Sequence, residues 1–357
     1  MSYEYDRQPD PGEGALRLHL NENTGGCSPR VIDALRTLTT RDLAFYPDYA
    51  AVNAACAKFL GVSEDRLLLT NGLDEGLLAA SIAYLQRARS QDDDAAGGAP
   101  EAIIVEPAFG MYADCVEATG GRVVNVAPLP DFAFPLDDTL AAITPRTRLV
   151  FLTSPGNPTG LLTPRAALRA IAKALPPEAL IVLDEAYADF TDEHFLDELP
   201  RWPNIVIGRT FAKSYGLAAV RIGAMIGSAD VIARLRRSLP PYTINILAAT
   251  VLGVALDDRE YVDWYRRQVV ESKQKLYAAC DRFGLRYWRS EANFVLVRVG
   301  TTAEAKAVVE ALAAKRIFVR DRSTQPGCEG CIRITTGLVD HTQACIAALE
   351  EVLCAEA

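Results

Sequence analysis

The sequence lacks the features of a membrane protein and of a general nucleic-acid-binding protein. No run of eighteen apolar residues occurs among its 357 residues, which excludes a membrane-spanning helix. Acidic residues outnumber basic ones by 46 to 37, and a formal net charge of −9 provides no broad basic face for a phosphate backbone. The first residues, MSYEYDRQPDPGEG, contain no cationic stretch followed by an apolar one, which argues against a targeting signal. We therefore expect a cytoplasmic protein.

The sequence also lacks a complete metal site. Only Cys328 and Cys331 have the spacing of half a zinc site, and neither a second cysteine pair nor a nearby histidine completes it. No metal is therefore predicted. The eight cysteines are spread along a chain too long to need disulfides, so we interpret them as free thiols. What the chain does have is a hydrophobic content of 50%, which is typical of a globular protein.

Short apolar runs alternate with helical patterns from about Ala44 onward. The runs are bounded by Gly, Pro and polar residues and occupy residues 101–107, 121–127, 147–155, 179–187 and 204–213. Such runs are typical of strands that are buried on both faces. Because helix-length segments separate them, the pattern predicts an α/β fold with a mainly parallel sheet.

The pattern changes towards the C-terminus. Residues 285–299 alternate like a half-buried strand and residues 330–337 form another short strand pattern, which predicts a smaller α+β domain. The charged and Gly-rich residues 87–100 are interpreted as a surface loop. The predicted divisions are an N-terminal arm with part of the small domain in residues 1–42, a large domain in 43–245 and a small C-terminal domain in 246–357.

Polar side chains follow three of the predicted strands at their carboxyl ends. Asn157 lies in the GNPTG segment after one strand, Asp184 and Tyr187 follow the next, and Lys213 and Arg221 follow the third. Ligands of open α/β sheets bind at this edge. We therefore expect an acid, an amide, a phenol and a lysine to converge on one crevice.

Ten motifs in one order resemble those of fold-type I aminotransferases that use pyridoxal 5′-phosphate, and in particular the histidinol-phosphate aminotransferases. They include LHLNEN (18–23), TNGLDEG (70–76), EPAFGMY (106–112), SPGNPTG (154–160), VLDEAYADF (182–190), RTFAKSYGLAAVRIG (209–223) and VRDRSTQPGCEGCIRITTG (319–337). The resemblance covers most of the chain. It implies the aspartate aminotransferase-like fold, with a large domain and a smaller α+β domain, and pyridoxal 5′-phosphate as cofactor.

The resemblance also implies roles for residues around the cofactor ring. Lys213 would bind the cofactor covalently and act as general base after substrate displaces it. Asp184 would face the ring nitrogen and keep it protonated. Asn157 and Tyr187 would form hydrogen bonds with the phenolate oxygen of the ring, and Phe109 would stack on the ring.

The cofactor phosphate is expected at the start of a helix, where backbone N–H groups bind anions. The residues assigned to it are Gly72, Leu73, Asp74, Thr210 and Arg221. Tyr46 resembles a tyrosine that reaches the phosphate of the neighbouring subunit, which implies a homodimer with a shared active site. Ala212 departs from the family pattern, which usually has Ser before the lysine, so one phosphate donor is missing.

The substrate residues are also implied by the resemblance. Arg333 resembles the arginine that holds the substrate carboxylate, and Arg320 belongs to the same region. Two arginines suit a phosphate dianion, so we predict that histidinol phosphate and 2-oxoglutarate react to imidazole acetol phosphate and glutamate, as in histidine biosynthesis. Asn23 and Tyr242 are expected to border the pocket. Thr24, where the family usually has Pro or Tyr, keeps open an aminotransferase for aromatic or specialised amino acids.

Two alternatives change the class of protein. A decarboxylase of the threonine-phosphate type shares this scaffold, but LHLNEN differs from the His-Gly-Gly opening of that branch. A non-catalytic module of the same fold would bind a partner or ligand, but the full catalytic set is present and no DNA-binding segment is attached. We therefore favour an enzyme that acts on a small-molecule amino donor and a 2-oxo acid.

Overall fold

A computed structural model describes residues 11–86 and 98–355, so most of the predicted loop at 87–100 lies outside the described residues. The strands are β1 (Leu16–Arg17), β2 (Leu67–Thr70), β3 (Glu101–Val105), β4 (Arg122–Val126), β5 (Thr147–Thr153), β6 (Leu180–Asp184), β7 (Ile205–Thr210), β8 (Gly223–Ile226), β9 (Arg286–Tyr287), β10 (Phe294–Arg298), β11 (Ile317–Phe318), β12 (Arg320–Asp321) and β13 (Cys331–Thr335). The helices are α1 (Pro29–Leu35), α2 (Thr40–Ala44), α3 (Ala50–Leu60), α4 (Leu73–Leu85), α5 (Met111–Ala118), α6 (Leu136–Ala141), α7 (Arg165–Ala174), α8 (Ala229–Arg236), α9 (Ile246–Asp257), α10 (Arg259–Phe283), α11 (Thr302–Ala314) and α12 (Val339–Ala355).

Seven strands form the large sheet, in the order β2-β8-β7-β6-β5-β3-β4. Strand β8 pairs antiparallel with β2 and β7, whereas the pairs among β7, β6, β5, β3 and β4 are parallel. All five residues of β6 are buried, as expected for a strand covered on both faces. The predicted α/β fold with a mainly parallel sheet is confirmed.

Helices cover both faces of this sheet, because alternate residues of each buried strand point to opposite sides. Ile181 and Leu183 pack in a core with α1, α3, α7 and α9. Leu180 and Val182 pack in a second core with α4, α5 and α8. The carboxyl ends of the parallel strands are thereby held at one rigid edge between two helical layers.

The C-terminal part contains a separate antiparallel sheet of order β12-β13-β10-β9. Helices α10, α11 and α12 pack on it, and Leu18 of the N-terminal segment is buried in the same core. Strand β1 pairs with β11, so the N-terminal segment returns to the C-terminal part of the chain. This arrangement brings residues 18–23 next to the large sheet's carboxyl edge.

Helix α9 begins directly after the predicted domain boundary at residue 245, and its packing shows to which domain it belongs. Its buried side chains, Ala248, Val251, Leu252, Ala255 and Leu256, belong to the core beneath the large sheet. Helix α10 follows directly and packs with α12 in the small domain's core. We therefore propose that the large domain extends to Asp257, where α9 ends. In the described ranges, no helix has the length and apolar character needed to cross a membrane.

Candidate active site

The carboxyl ends of β5, β6 and β7 bring several predicted residues to one edge. Thr153 at the end of β5 is the register partner of Asp184 at the end of β6, and Asp184 is in turn the partner of Gly208 in β7. Asn157 follows β5 within a turn, and Lys213 follows β7 by three residues. The parallel register therefore gathers groups that are far apart in the sequence.

Asp184 is a buried carboxylate held by two hydrogen bonds. Its Oδ1 accepts from the backbone N–H of Ala186 at 2.9 Å, and its Oδ2 accepts from the hydroxyl of Tyr112 at 2.6 Å. Burial raises the pKa of Asp184 to about 6, although both hydrogen bonds and the charge of Lys213 act to lower it. Within the described residues Asp184 forms no ion pair, so the site contains a buried acid that a cation would stabilise.

Lys213 points towards the N-terminal segment. Its Nζ donates to the backbone carbonyl of Leu20 at 2.9 Å and lies 6.0 Å from the centroid of the Tyr187 ring. The hydroxyl of Tyr187 accepts from Asn21 Nδ2 at 2.9 Å. Asn23 donates from Nδ2 to the carbonyl of Ser214, the residue after the lysine. The segment 20–23 therefore closes one side of the site around the lysine.

The start of α4 forms a small anion-binding cradle. Gly72 precedes the helix with φ +76°, and no side chain in the described ranges caps this end. Arg221 lies over it, with Nη2 2.8 Å from Asp74 Oδ2. A Cβ on Gly72 would lie 2.5 Å from Arg221 Nη2, so a larger residue would move the guanidinium from its present position, and φ +76° itself favours glycine. Leu73 is buried below.

The end of β7 lies against the same cradle. A Cβ on Gly223, the register partner of Thr210, would lie 2.6 Å from the backbone N of Leu73. The hydroxyl of Thr210 accepts from the backbone N–H of Ala212 at 3.2 Å. Ala212 has no side-chain donor, so Thr210 is the residue that can offer a hydroxyl to an anion at this place. The cradle therefore offers backbone N–H groups, one hydroxyl and one guanidinium to an anion.

Arg333 on β13 is a buried cation at the other side of the crevice. Its Nη2 donates to the carbonyl of His19 at 2.6 Å, and Nη1 donates to Asn157 Oδ1. The guanidinium carbon lies 5.3 Å from the centroid of the Phe294 ring. Burial, together with the charge of Arg322, lowers the pKa of Arg333 well below its usual value. Arg320 is its register partner on β12, so an anion at this point would meet several positive charges.

The predicted aromatic residues occupy two places. Phe109 lies beside the site, and its ring meets the Tyr112 ring edge-to-face at a centroid distance of 5.8 Å. Tyr46 and Tyr242 lie at the surface, 78% and 54% exposed, and stack on each other at 4.3 Å. Thr243, the residue after Tyr242, donates from its hydroxyl to Glu75 near the start of α4. The exposed pair is therefore linked to the first turn of α4 through the residue that follows Tyr242.

A cavity of about 720 Å³ lies between the N-terminal segment and the loop that carries Lys213. Asn23, Thr24, Ala212 and His341 are among its lining residues. Of the two residues expected to border the substrate pocket, Asn23 lines this cavity and Tyr242 does not. Lys213, Asp184 and Arg333 are also absent from its lining, so the cavity lies beside the cluster of predicted catalytic residues.

Comparison with known proteins identifies the family. The aminotransferase class I and II family matches residues 13–349. The chain belongs to this family. The enzyme is 35% identical over 346 residues to the histidinol-phosphate aminotransferase of Moorella thermoacetica, covering 95% of this chain and 85% of that protein. It is 37% identical over 346 residues to histidinol-phosphate aminotransferase 2 of Ralstonia nicotianae, covering 95% and 88%.

A solved structure supports the same conclusion. The histidinol-phosphate aminotransferase of Sinorhizobium meliloti, in complex with pyridoxal 5′-phosphate, superposes with a TM-score of 0.86 at 28% identity, covering 96% of this chain and 92% of that one. The predicted aspartate aminotransferase-like fold is confirmed, as is the prediction of a pyridoxal-phosphate-dependent aminotransferase. The enzyme's own residues fit this cofactor, since the buried carboxylate of Asp184 suits a protonated ring nitrogen and the Gly72 cradle suits a phosphate.

Two residues of the site were not assigned from the sequence. Tyr112 stands in the EPAFGMY motif, but only its contact with Asp184 reveals a role. Asn21 stands in LHLNEN and adopts φ +55°, a left-handed conformation that Asn tolerates better than most residues. Its Oδ1 accepts from Thr335 and its Nδ2 donates to Tyr187. In the sequence, Tyr112 and Asn21 are marked only as polar residues within motifs, and nothing there indicates their contacts with Asp184 and Tyr187.

Proposed function

We propose that this enzyme transfers the amino group of histidinol phosphate to 2-oxoglutarate, which yields imidazole acetol phosphate and glutamate in histidine biosynthesis. The curated relatives named above carry this activity in their names and match 95% of the chain. The proposal depends on the buried guanidinium of Arg333, which lies in the same crevice as Lys213. Arg320 is the register partner of Arg333 on the neighbouring strand. A planar fork binds a phosphate or a carboxylate, so donor and acceptor can use one site in turn.

The proposed cofactor residues divide by function. Lys213 would anchor the cofactor covalently, Asp184 would face the ring nitrogen, Asn157 and Tyr187 would contact the phenolate oxygen, and Phe109 would stack on the ring. The phosphate is assigned to Gly72, Leu73, Asp74, Thr210 and Arg221. Bound there, the cofactor supplies an electron sink for the bond broken at the substrate Cα. Once the substrate amine has displaced it from the cofactor, the free amine of Lys213 would take the proton from that carbon, and Arg333, with Arg320, Asn23 and Tyr242, would hold the substrate in position.

We also propose a homodimer that works in the cytoplasm. Tyr46 and Tyr242 form an exposed aromatic stack beside the start of α4, where a second subunit would bury them. Tyr46 of each subunit would then contact the cofactor phosphate in its partner. All eight cysteines are free thiols, which is typical of proteins from a reducing compartment.

A coupled assay tests the function. Purified enzyme with pyridoxal 5′-phosphate should form glutamate from histidinol phosphate and 2-oxoglutarate, and it should show a near-visible absorbance band. Lys213→Ala should abolish both, whereas Lys173→Ala, which removes an exposed lysine on α7, should change neither. Glutamate formation that persists in Lys213→Ala would contradict the proposed role of this residue.

Thr24 supports a second candidate, an aminotransferase for aromatic or specialised amino acids. Thr24 lines the cavity next to Asn23, and the resemblance to histidinol-phosphate aminotransferases implies Pro or Tyr at this position. A panel of amino donors distinguishes the two candidates. A clear preference for Phe or Tyr over histidinol phosphate would favour this second function, and release of carbon dioxide would instead indicate a decarboxylase.

A further inference from the structure

Tyr112 connects two of the groups proposed to hold the cofactor ring. Its hydroxyl donates to Asp184 Oδ2 at 2.6 Å and lies 2.8 Å from Thr153 Oγ1. Its ring meets Phe109 edge-to-face and stacks on Phe151 at a centroid distance of 5.0 Å and an interplanar angle of 9°. The side chain is only 1% exposed. Packing on two sides therefore fixes the position from which the hydroxyl reaches the carboxylate.

The direction of these hydrogen bonds follows from the chemistry of the groups. An ionised Asp184 can only accept, so the single proton of the Tyr112 hydroxyl points to it. The hydroxyl of Thr153 must then donate to the Tyr112 oxygen. The result is a short relay, from Thr153 to Tyr112 to Asp184, in which each hydrogen bond strengthens the next.

The carboxylate of Asp184 is held at both oxygens. The backbone N–H of Ala186 fixes Oδ1, and the Tyr112 hydroxyl fixes Oδ2. Two donors on two oxygens set the plane of the carboxylate and leave its remaining lone pairs for a ligand. We propose that Tyr112 is a positioning residue that keeps Asp184 ionised and correctly oriented towards the ring nitrogen of the cofactor. The inference rests on the proposed function, in which Asp184 faces that nitrogen.

The electrostatics show what the tyrosine contributes. Burial raises the pKa of Asp184, and Asp74 on α4 raises it further. Tyr112 on α5, the Ala186 N–H and Lys213 act in the opposite direction. The hydrogen bond from the Tyr112 hydroxyl is the largest of the interactions that favour the ionised form of Asp184. Loss of this hydroxyl therefore removes that interaction. The carboxylate would then become protonated at a higher pH and would lose its attraction for a cationic ring.

Tyr112→Phe tests the inference, because it removes the hydroxyl and keeps the ring. The matched control is Tyr84→Phe, which changes a buried tyrosine of the same hydrophobic core whose ring lies against Arg234 instead. In the cofactor-free protein, an infrared titration of the Asp184 carboxyl, assigned by difference with Asp184→Asn, should show the Tyr112→Phe midpoint about one pH unit higher. The dissociation constant for pyridoxal 5′-phosphate should rise about tenfold. Tyr84→Phe should leave both values unchanged.

The outcomes separate positioning from packing. In an Asp184→Asn background, Tyr112→Phe should have no further effect on cofactor affinity. If Tyr112→Phe folds poorly, Thr153→Val removes only the donor to the tyrosine oxygen and should shift the infrared midpoint upward by a smaller amount. Unchanged midpoints in both variants would overturn the inference. If the wild-type protein binds no pyridoxal 5′-phosphate, the proposed function fails, and the infrared midpoint still reports separately on the Tyr112 contact.

Discussion

Asp184 and Arg333 are buried ionisable side chains that are held by neutral partners. Asp184 accepts hydrogen bonds from Tyr112 and a backbone N–H, whereas Arg333 donates to a backbone carbonyl and to Asn157. Burial raises the pKa of the acid and lowers that of the base, so each charged form is destabilised in the free protein. A cation near Asp184 and an anion near Arg333 would relieve both costs. This is the charge pattern that a protonated ring and an anionic substrate provide.

The raised pKa of Asp184 predicts an unusual pH dependence for the cofactor-free protein. Folded protein holds a proton on Asp184 up to about pH 6, whereas unfolded protein loses it near the usual value of 3.8. The contribution of this residue to the free energy of unfolding should therefore fall as pH rises from 4 to 6, by about 3 kcal/mol in total. Asp184→Asn should remove this slope, and denaturant titrations at several pH values measure it.

The same substitution should weaken cofactor binding. Asp184→Asn is thus expected to make the free protein more stable at pH 7 while raising the dissociation constant for pyridoxal 5′-phosphate. The exposed Asp192 offers a control, since Asp192→Asn should alter neither quantity. If the unfolding free energies of wild-type and Asp184→Asn protein changed in parallel from pH 4.5 to 7 without cofactor, the pKa of Asp184 would not be raised by burial.

Arg333 should not be replaceable by lysine. Arg333→Lys keeps the charge but replaces a planar group with five N–H donors by an ammonium with three. The ammonium cannot donate to Asn157, to the carbonyl of His19 and to two oxygens of a substrate anion at the same time. We expect kcat/KM for histidinol phosphate to fall about 10- to 100-fold, which corresponds to one charge-assisted hydrogen bond. Arg298→Lys, in the neighbouring strand β10, is the control. Equal kinetics in the two variants would argue against substrate binding by Arg333.

At the scale of elements, the position of α4 decides where an anion can bind. The helix starts at the sheet edge with Gly72 at a positive φ of 76°, and its first turn lies under Arg221. Residues of α4 such as Leu73 and Leu77 pack in the core with strand residues, which holds the start of the helix against the sheet.

Gly72→Ala should therefore damage both stability and cofactor binding. The new Cβ would be strained at φ +76° and would displace Arg221. Gly61→Ala is a matched control, because Gly61 has φ +68° and open space around its Cβ position. It should cost about 1 kcal/mol in unfolding free energy and leave cofactor affinity unchanged. Titration with pyridoxal 5′-phosphate should show at least a tenfold loss for Gly72→Ala; similar affinities would mean that the cradle does not bind the phosphate.

At the scale of the whole molecule, an exposed hydrophobic surface predicts assembly. Its proposed members are exposed large side chains in α2, just after α2, before α9 and in the first turn of α9, namely Leu43, Phe45, Tyr46, Tyr242 and Leu247. Tyr46 and Tyr242 stack on each other. A patch of this kind would be costly in an isolated subunit and is typical of an interface.

A mixing experiment tests whether the proposed dimer shares its active sites. Tyr46→Ala and Lys213→Ala should each be nearly inactive, because each damages both sites of its own dimer. After subunit exchange, a mixed dimer would hold both defects in one site and none in the other. Half of randomly paired dimers are mixed, so about a quarter of wild-type activity should return. Sedimentation measures the assembly, and no recovery despite verified mixed dimers would place Tyr46 outside the partner's site.

The sequence predicted those features that are encoded locally. Buried strands gave continuous apolar runs, and the residues after them, such as Asn157, Asp184 and Lys213, belong to short motifs that can be recognised one at a time. The mainly parallel sheet followed from the order of the apolar runs, the aminotransferase class followed from the resemblance of the motifs, and both predictions are confirmed. The individual roles of the site residues stay predictions that the experiments above test.

Tertiary structure alone decided which distant groups touch. Tyr112 and Asp184 are 72 residues apart and Asn21 and Tyr187 are 166 apart, so their hydrogen bonds depend on how helices and the N-terminal segment pack on the sheet. The sequence of helix α9 is typical of any apolar helix, and only its packing shows that it belongs to the core of the large sheet. Local patterns record which face of an element avoids water, whereas the partner that covers that face is chosen by packing of the complete chain.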